Sequence, residues 1–202
     1  ARDAMSYEEL AETEGRPRIR ALLNEIQAQG WAEFAVSYGY FPCWSEGQTL
    51  VLADPTAPDQ EVARWQFPRQ ARDRRLCIAD FFRDRDEAEQ FGPDVIALQL
   101  VTMGQRISSA TNELYAANAY RDYLELHGLS VQLTEALAEF WHQRVRQELA
   151  IAADEGSIDE QVAKQAYRGS RYSFGYPACP DLEMRAPLVE LLAADRIGVH
   201  LS

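Results

Sequence analysis

The period of the apolar pattern changes twice along this chain, and that alternation constrains the fold more than any single motif does. Residues 5–30 are charged and helix-favouring, with Ile19, Leu22, Leu23 and Ile26 spaced three and four apart and Gly30 where a helix would stop. Over 31–101 the period falls to that of strands, with apolar or alternating runs at 34–41, 49–53, 62–67, 76–82 and 95–101. Ser45-Glu46-Gly47 and Asp54-Pro55 mark turns between them. Connections this short leave no room for crossover helices, so the sheet should be mostly antiparallel. After Gly104 the helical period returns: Ile107, Ala110, Leu114, Ala117 and Leu124 form one stripe, and Gly128 is the predicted stop. Ser130 is then a candidate N-cap for a helix with Leu133, Leu137, Phe140, Trp141, Val145 and Leu149 on its apolar face. Residues 154–160 read as a polar loop, followed by a short helix before Tyr167. Helix, strands, then helices implies an α+β fold, a twisted, mostly antiparallel sheet flanked by helices.

A chain of 202 residues that is 47% hydrophobic can bury its own core, so one domain over 1–202 is expected. Its net charge of -12 argues against a nucleic-acid binder, which would neutralise phosphates with Lys and Arg. No apolar run approaches the roughly 20 residues a spanning helix needs, and no charged n-region followed by an apolar h-region opens the sequence, so no membrane partner and a cytoplasmic location are expected. A monomer is also expected. Cys43, Cys77 and Cys179 are few, odd in number and far apart, which suggests neither disulfides nor zinc but buried, reduced thiols.

The segment Arg171-Tyr172-Ser173-Phe174-Gly175-Tyr176-Pro177-Ala178-Cys179-Pro180-Asp181 is too rich in proline, glycine and aromatics for helix or strand. An arginine offers a planar fork to a carboxylate, and a glycine lets main chain approach a flat ring. Free backbone groups in such a loop could face an amino-acid nucleoside. Gly-Tyr-Pro alone also describes an ordinary packed turn.

Arg-x-x-x-Gly-Tyr followed by Pro-Ala-Cys-Pro, at Arg171, Gly175, Tyr176 and 177–180, resembles the signature of the activation module of cobalamin-dependent methionine synthases. Leu76-Cys77-Ile78-Ala79-Asp80-Phe81, the 95–102 strand and the helix at 133–146 resemble that family in the same order. The helix matches its Glu-Ala-x-Ala-Glu-x-x-His-x-Arg-x-Arg pattern. The resemblance runs from about residue 34 to 201 and implies that family's fold rather than a Rossmann one. It also implies an S-adenosylmethionine site that supports reductive methylation of inactive cob(II)alamin, without turnover by this module alone. By matching position, Arg171 would meet the ligand carboxylate, Gly175, Tyr176, Pro177 and Ala178 would hold the adenine, and Glu135 would lie beside the ligand. The implied partners are a cobalamin-binding module of the same polypeptide and a flavodoxin-like electron donor. The family's aspartate-bearing first segment and closing paired-aromatic strand have no counterpart here, so 1–202 is expected to be most of that domain without its two edges. An acidic position of some members is Gln165 in this chain.

Other features have plainer readings. Glu139-x-x-His142 is half of a di-iron motif, but no second copy exists, so His142 reads as a helix-surface or supporting residue rather than a metal ligand. The 171–179 loop would leave the Cys179 thiol accessible, yet no base accompanies it. Trp44, Trp65 and Trp141 read as core or interface anchors. Arginines at 64, 69, 72, 74, 75, 83 and 85 either dock an acidic electron donor, in a protein-docking module with a vestigial pocket, or pair with Asp73, Asp80 and Asp84 on a solvated face.

Overall fold

The structure, a computed structural model, describes residues 6–71, 74–153, 155–157, 161 and 166–201. In chain order its elements are α1 (Tyr7–Leu10), a π-helical turn (Ala11–Gly15), α2 (Arg16–Gln29), β1 (Ala35–Glu46), β2 (Thr49–Asp54) and β3 (Ala57–Gln66). A 3-10 turn (Ile78–Phe81), α3 (Arg85–Phe91), β4 (Asp94–Thr102), α4 (Gln105–Ala116), α5 (Tyr120–Glu148), α6 (Arg185–Leu191) and a 3-10 turn (Ala194–Ile197) follow among the described residues. The chain divides into two compact units, Ala1–Ala35 with Val101–Leu137, and Val36–Leu100 with Ala138–Ser202.

In the first unit, α2 begins with Pro17 in its first turn and ends at Gly30, whose φ of 63° is left-handed. Leu22 and Ile26, one turn apart, pack with Met103, Ile107, Ala110 and Leu126 into a small core. Ile19 and Leu23 stay exposed, so the buried stripe is narrower than the periodicity predicts. The predicted stop at Gly128 is wrong: α5 runs through it, and Ser130 donates its hydroxyl to the His127 carbonyl instead of capping a new helix. Glycine inside a helix costs only about 1 kcal/mol, less than its hydrogen bonds and packing return. The break comes earlier, after α4, where Asn118 takes a φ of 58°. Asparagine is among the few residues that tolerate that conformation.

The second unit holds the sheet, antiparallel with strand order β3-β2-β1-β4. Trp44 faces Val51 across the first hairpin, and Leu50 faces Trp65 across the second. Leu50, Val51, Leu52 and Ala53 of the inner strand β2 are all fully buried. This is why that stretch reads as continuously apolar rather than alternating. Cys43, Leu50, Leu52, Trp65, Cys77, Leu98 and Cys179 share one core with Leu188 and Leu192. Two expectations fail in the β3–β4 connection. The run at 76–82 holds a 3-10 turn, Ile78–Phe81, rather than a strand, with Asp80 drawn out of the apolar pattern into a pair with Arg69, 2.6 Å away. The unforeseen helix α3 starts from a capping box in which Asp84 accepts from the Glu87 amide and Glu87 reaches back. Trp65 Nε1 donates to the Met184 carbonyl at 2.9 Å, which ties β3 to the entry of α6.

Candidate functional site

The 171–179 loop closes on itself. The Gly175 amide donates to the Cys179 carbonyl at 2.9 Å, the Cys179 amide donates to the Tyr176 carbonyl at 2.9 Å, and the Cys179 thiol donates to the Ser173 carbonyl at 3.0 Å. Part of the backbone that the sequence leaves free for a ligand is therefore committed internally. Gly175 has a φ of 97°, so its conformation favours glycine, and a Cβ there would also push aside the Leu182 Cδ2 methyl 2.9 Å away. Phe174 tilts against Trp65 with ring centres 5.8 Å apart, and Cys179 is buried in the sheet's core. The loop is thereby pinned at both ends while Tyr176 stays 61% exposed at its tip.

The Cys179 thiol is 2% exposed and so is not the accessible group that the loop composition suggests. Burial raises its pKa further, leaving it protonated and unsuited to nucleophilic work.

Arg171 is half-buried; its Nε lies 3.4 Å from Glu139 Oε2 and its Nη1 3.5 Å from Ser173 Oγ. Glu139 projects from α5 and also stands 3.8 Å from His142 Nδ1 and 4.0 Å from Arg146 Nη1. Arg146, 1% exposed, forks Glu155 through Nε at 2.6 Å and Nη2 at 3.0 Å, and donates to Gln161 Oε1 at 3.0 Å. Its Nη1 lies 2.7 Å from His142 Nδ1. A guanidinium can only donate, so Nδ1 accepts and the ring's proton resides on Nε2. Burial, then the Arg146 charge, hold the His142 pKa below its ordinary value. The Tyr167 ring stacks under Arg146, and burial followed by the Glu139 charge raises its hydroxyl pKa. His142 is thus a buried neutral residue, not a helix-surface one.

The structure brings Arg171, Gly175, Tyr176, Pro177 and Ala178 together in one loop. Glu135 is exposed on α5 and falls in the first unit. An acid placed against Arg171 is Glu139, which the sequence offers as half of a metal motif and as one position of the family's helix pattern, without a ligand role. Glu139, His142 and Arg146 lie at helical spacings of three and four residues, a signal of one shared face that was there to be used. Among the described residues no group of His, Cys, Asp and Glu could hold a metal. Within the basic stretch, Arg64 pairs with Glu61 and Glu46, Arg69 with Asp80, Arg83 with Asp94, and Arg85 with Glu46. These four lie on a salt-bridged surface, and Arg74 and Arg75 are exposed. Arg72, Asp73 and Gln165 lie outside the described residues.

The profile of the family described as vitamin B12 dependent methionine synthase, activation domain, matches residues 17–202. The chain is 55% identical over 206 aligned positions to the methionine synthase of Mycobacterium tuberculosis, and 52% identical to that of Mycobacterium leprae. Each alignment covers 98% of this chain and 17% of the relative, so the chain spans about a sixth of those proteins. A crystal structure of the MetH reactivation domain bound to AdoHcy superposes with a TM-score of 0.80 at 24% identity, covering 93% of this chain and 61% of that one. That likeness establishes the α+β fold.

Proposed function

The chain belongs to the vitamin B12 dependent methionine synthase activation domain family, and from that premise we propose that it binds S-adenosylmethionine and thereby supports reductive methylation of inactive cob(II)alamin in a methionine synthase. The relative solved with AdoHcy, the demethylated form of that ligand, supports this choice of ligand. The reading takes 1–202 as a single domain, most of the family's domain; the profile matches 17–202 of it. It places the protein in the cytoplasm as a monomer; none of its described helices is long and apolar enough to cross a membrane. The cobalamin would be held by a neighbouring module of the same polypeptide, and a flavodoxin-like protein would deliver the electron.

The observation that carries the proposal is the Arg171 guanidinium set at the foot of a self-closed loop with an exposed tyrosine at its tip. S-adenosylmethionine presents a carboxylate, an ammonium, a sulfonium and a flat purine, and when bound it supplies a methyl group already activated by the sulfonium. Arg171 provides a two-toothed partner for the carboxylate. The backbone groups from Gly175 to Ala178 that the loop does not use internally, with the Tyr176 ring, provide an edge and a face for the purine. Glu135 enters by its position in the family's helix motif, as an anion for the ligand's cationic end. No general base is required of the protein; its work is positioning. The salt-bridged state of the described arginines at 64, 69, 83 and 85 lends no support to a module that only docks an electron donor.

Isothermal titration calorimetry with S-adenosylmethionine and S-adenosylhomocysteine tests this. Saturable binding of both is expected, weakened at least tenfold by Arg171→Ala. Absence of binding by the unmodified protein overturns the proposal.

A further inference from the structure

We propose that Glu139 is the positioning residue of the Arg171 carboxylate clamp, a role distinct from direct ligand contact. The inference rests on the S-adenosylmethionine reading of the loop. An arginine on an irregular loop has a long, rotatable stem, and its fork recognises a carboxylate only when the guanidinium plane is fixed. Here Nε lies 3.4 Å from Glu139 Oε2 and Nη1 lies 3.5 Å from Ser173 Oγ. Contacts at two edges define the plane, and hence the direction of the terminal nitrogens.

Glu139 can serve because its own position is fixed by a buried framework. It projects from α5, the Tyr167 hydroxyl hydrogen-bonds to its carboxylate, and Arg146 Nη1 stands 4.0 Å from the oxygen turned away from Arg171. Arg146 is immobilised by both oxygens of Glu155, by Gln161 and by the Tyr167 ring. Its charge is already matched by Glu155, which leaves the second Glu139 oxygen turned to Arg171. His142, acting as acceptor to Arg146, adds no charge to the balance. The chain of contacts from Glu155 through Arg146 and Glu139 to Arg171 transfers the rigidity of a buried ion pair to a half-exposed binding group. Such supporting partners set the precision of a site without touching the ligand.

The test compares S-adenosylmethionine with its decarboxylated analogue, which keeps the sulfonium, ammonium and purine and lacks only the carboxylate. In titration calorimetry on the full chain, Glu139→Gln should weaken S-adenosylmethionine roughly tenfold while moving the analogue by less than about twofold. In an Arg171→Lys background the same substitution should add less than about twofold, because the group it positions is gone. Equal losses for both ligands would mark a structural role, and an unchanged or increased preference for the carboxylate would mark a mere counter-charge. Each of those results overturns the inference. Failure of the unmodified protein to bind S-adenosylmethionine overturns the underlying reading instead. If circular dichroism shows that Glu139→Gln does not fold, Glu139→Asp, which withdraws the carboxylate by one methylene, should show the same selective loss.

Discussion

The guanidinium carbon of Arg146 lies 3.9 Å from the centre of the Tyr167 ring while its nitrogens fork Glu155, so one buried cation is held by a carboxylate at its edge and an aromatic face below. The Glu155 side chain is only 7% exposed, so removing its partner strands a charge away from water. Arg146→Met should destabilise the protein by about 3–5 kcal/mol. Urea denaturation followed by far-ultraviolet circular dichroism measures it, and adding Glu155→Gln should recover part of the loss.

The same framework sets an acid limit. His142 has its pKa depressed below 6.5, first by burial and then by Arg146. Below that pH the unfolded chain takes up a proton that the folded ring resists. The neutral ring's contribution is complete above pH 6.5 and is lost as pH falls toward the lower folded value. The urea midpoint should decline on that acid side, and His142→Asn should flatten the decline.

Legibility followed the physical range of each signal. Gly30 as a helix end, the β1–β2 hairpin and the buried β2 were all readable, because local backbone conformation and apolar pattern pointed the same way. Gly128 misled because a glycine's helix cost is small against the surrounding ladder, whereas the true break at Asn118 depends on a left-handed conformation that asparagine only sometimes adopts. The capping box from Asp84 to Glu87 was present in the letters, but it was hidden within a stretch read as strand and turn. At the site, Arg171 and its loop were legible as a motif. The spacing of Glu139, His142 and Arg146 encodes their shared helix face, but the meeting of Glu139 with Arg171 depends on where a distant loop returns in space, which no periodicity encodes.

Gly104 should be intolerant of any side chain. Its φ is 83°, and an added Cβ would fall 2.7 Å from Glu33 Cβ and 3.2 Å from the Glu33 carbonyl, neither of which can swing aside as a side-chain tip would. Left-handed strain of about 1–2 kcal/mol plus the clash predicts a loss of at least about 2 kcal/mol for Gly104→Ala. Thermal denaturation reads it as a clear fall in Tm.

All three thiols should be silent toward a thiol reagent in the native state. Cys43, Cys77 and Cys179 are buried, and Cys43 is pushed up to about 12, chiefly by burial and then by Asp94. Ellman's reagent at pH 8 should report no reactive thiol until denaturant is added, and then three equivalents. Rapid native labelling of any one would contradict the packing described here.

The internal bonds from Gly175 to Cys179, from Cys179 to Tyr176 and from the thiol to Ser173 give the loop its shape with no ligand needed to impose it. Under the proposed function, a nucleoside arriving there would meet a surface whose ordering entropy was lost during folding. Its capture rate should then be governed by diffusion and electrostatic approach, with no slow closing phase of this loop after encounter.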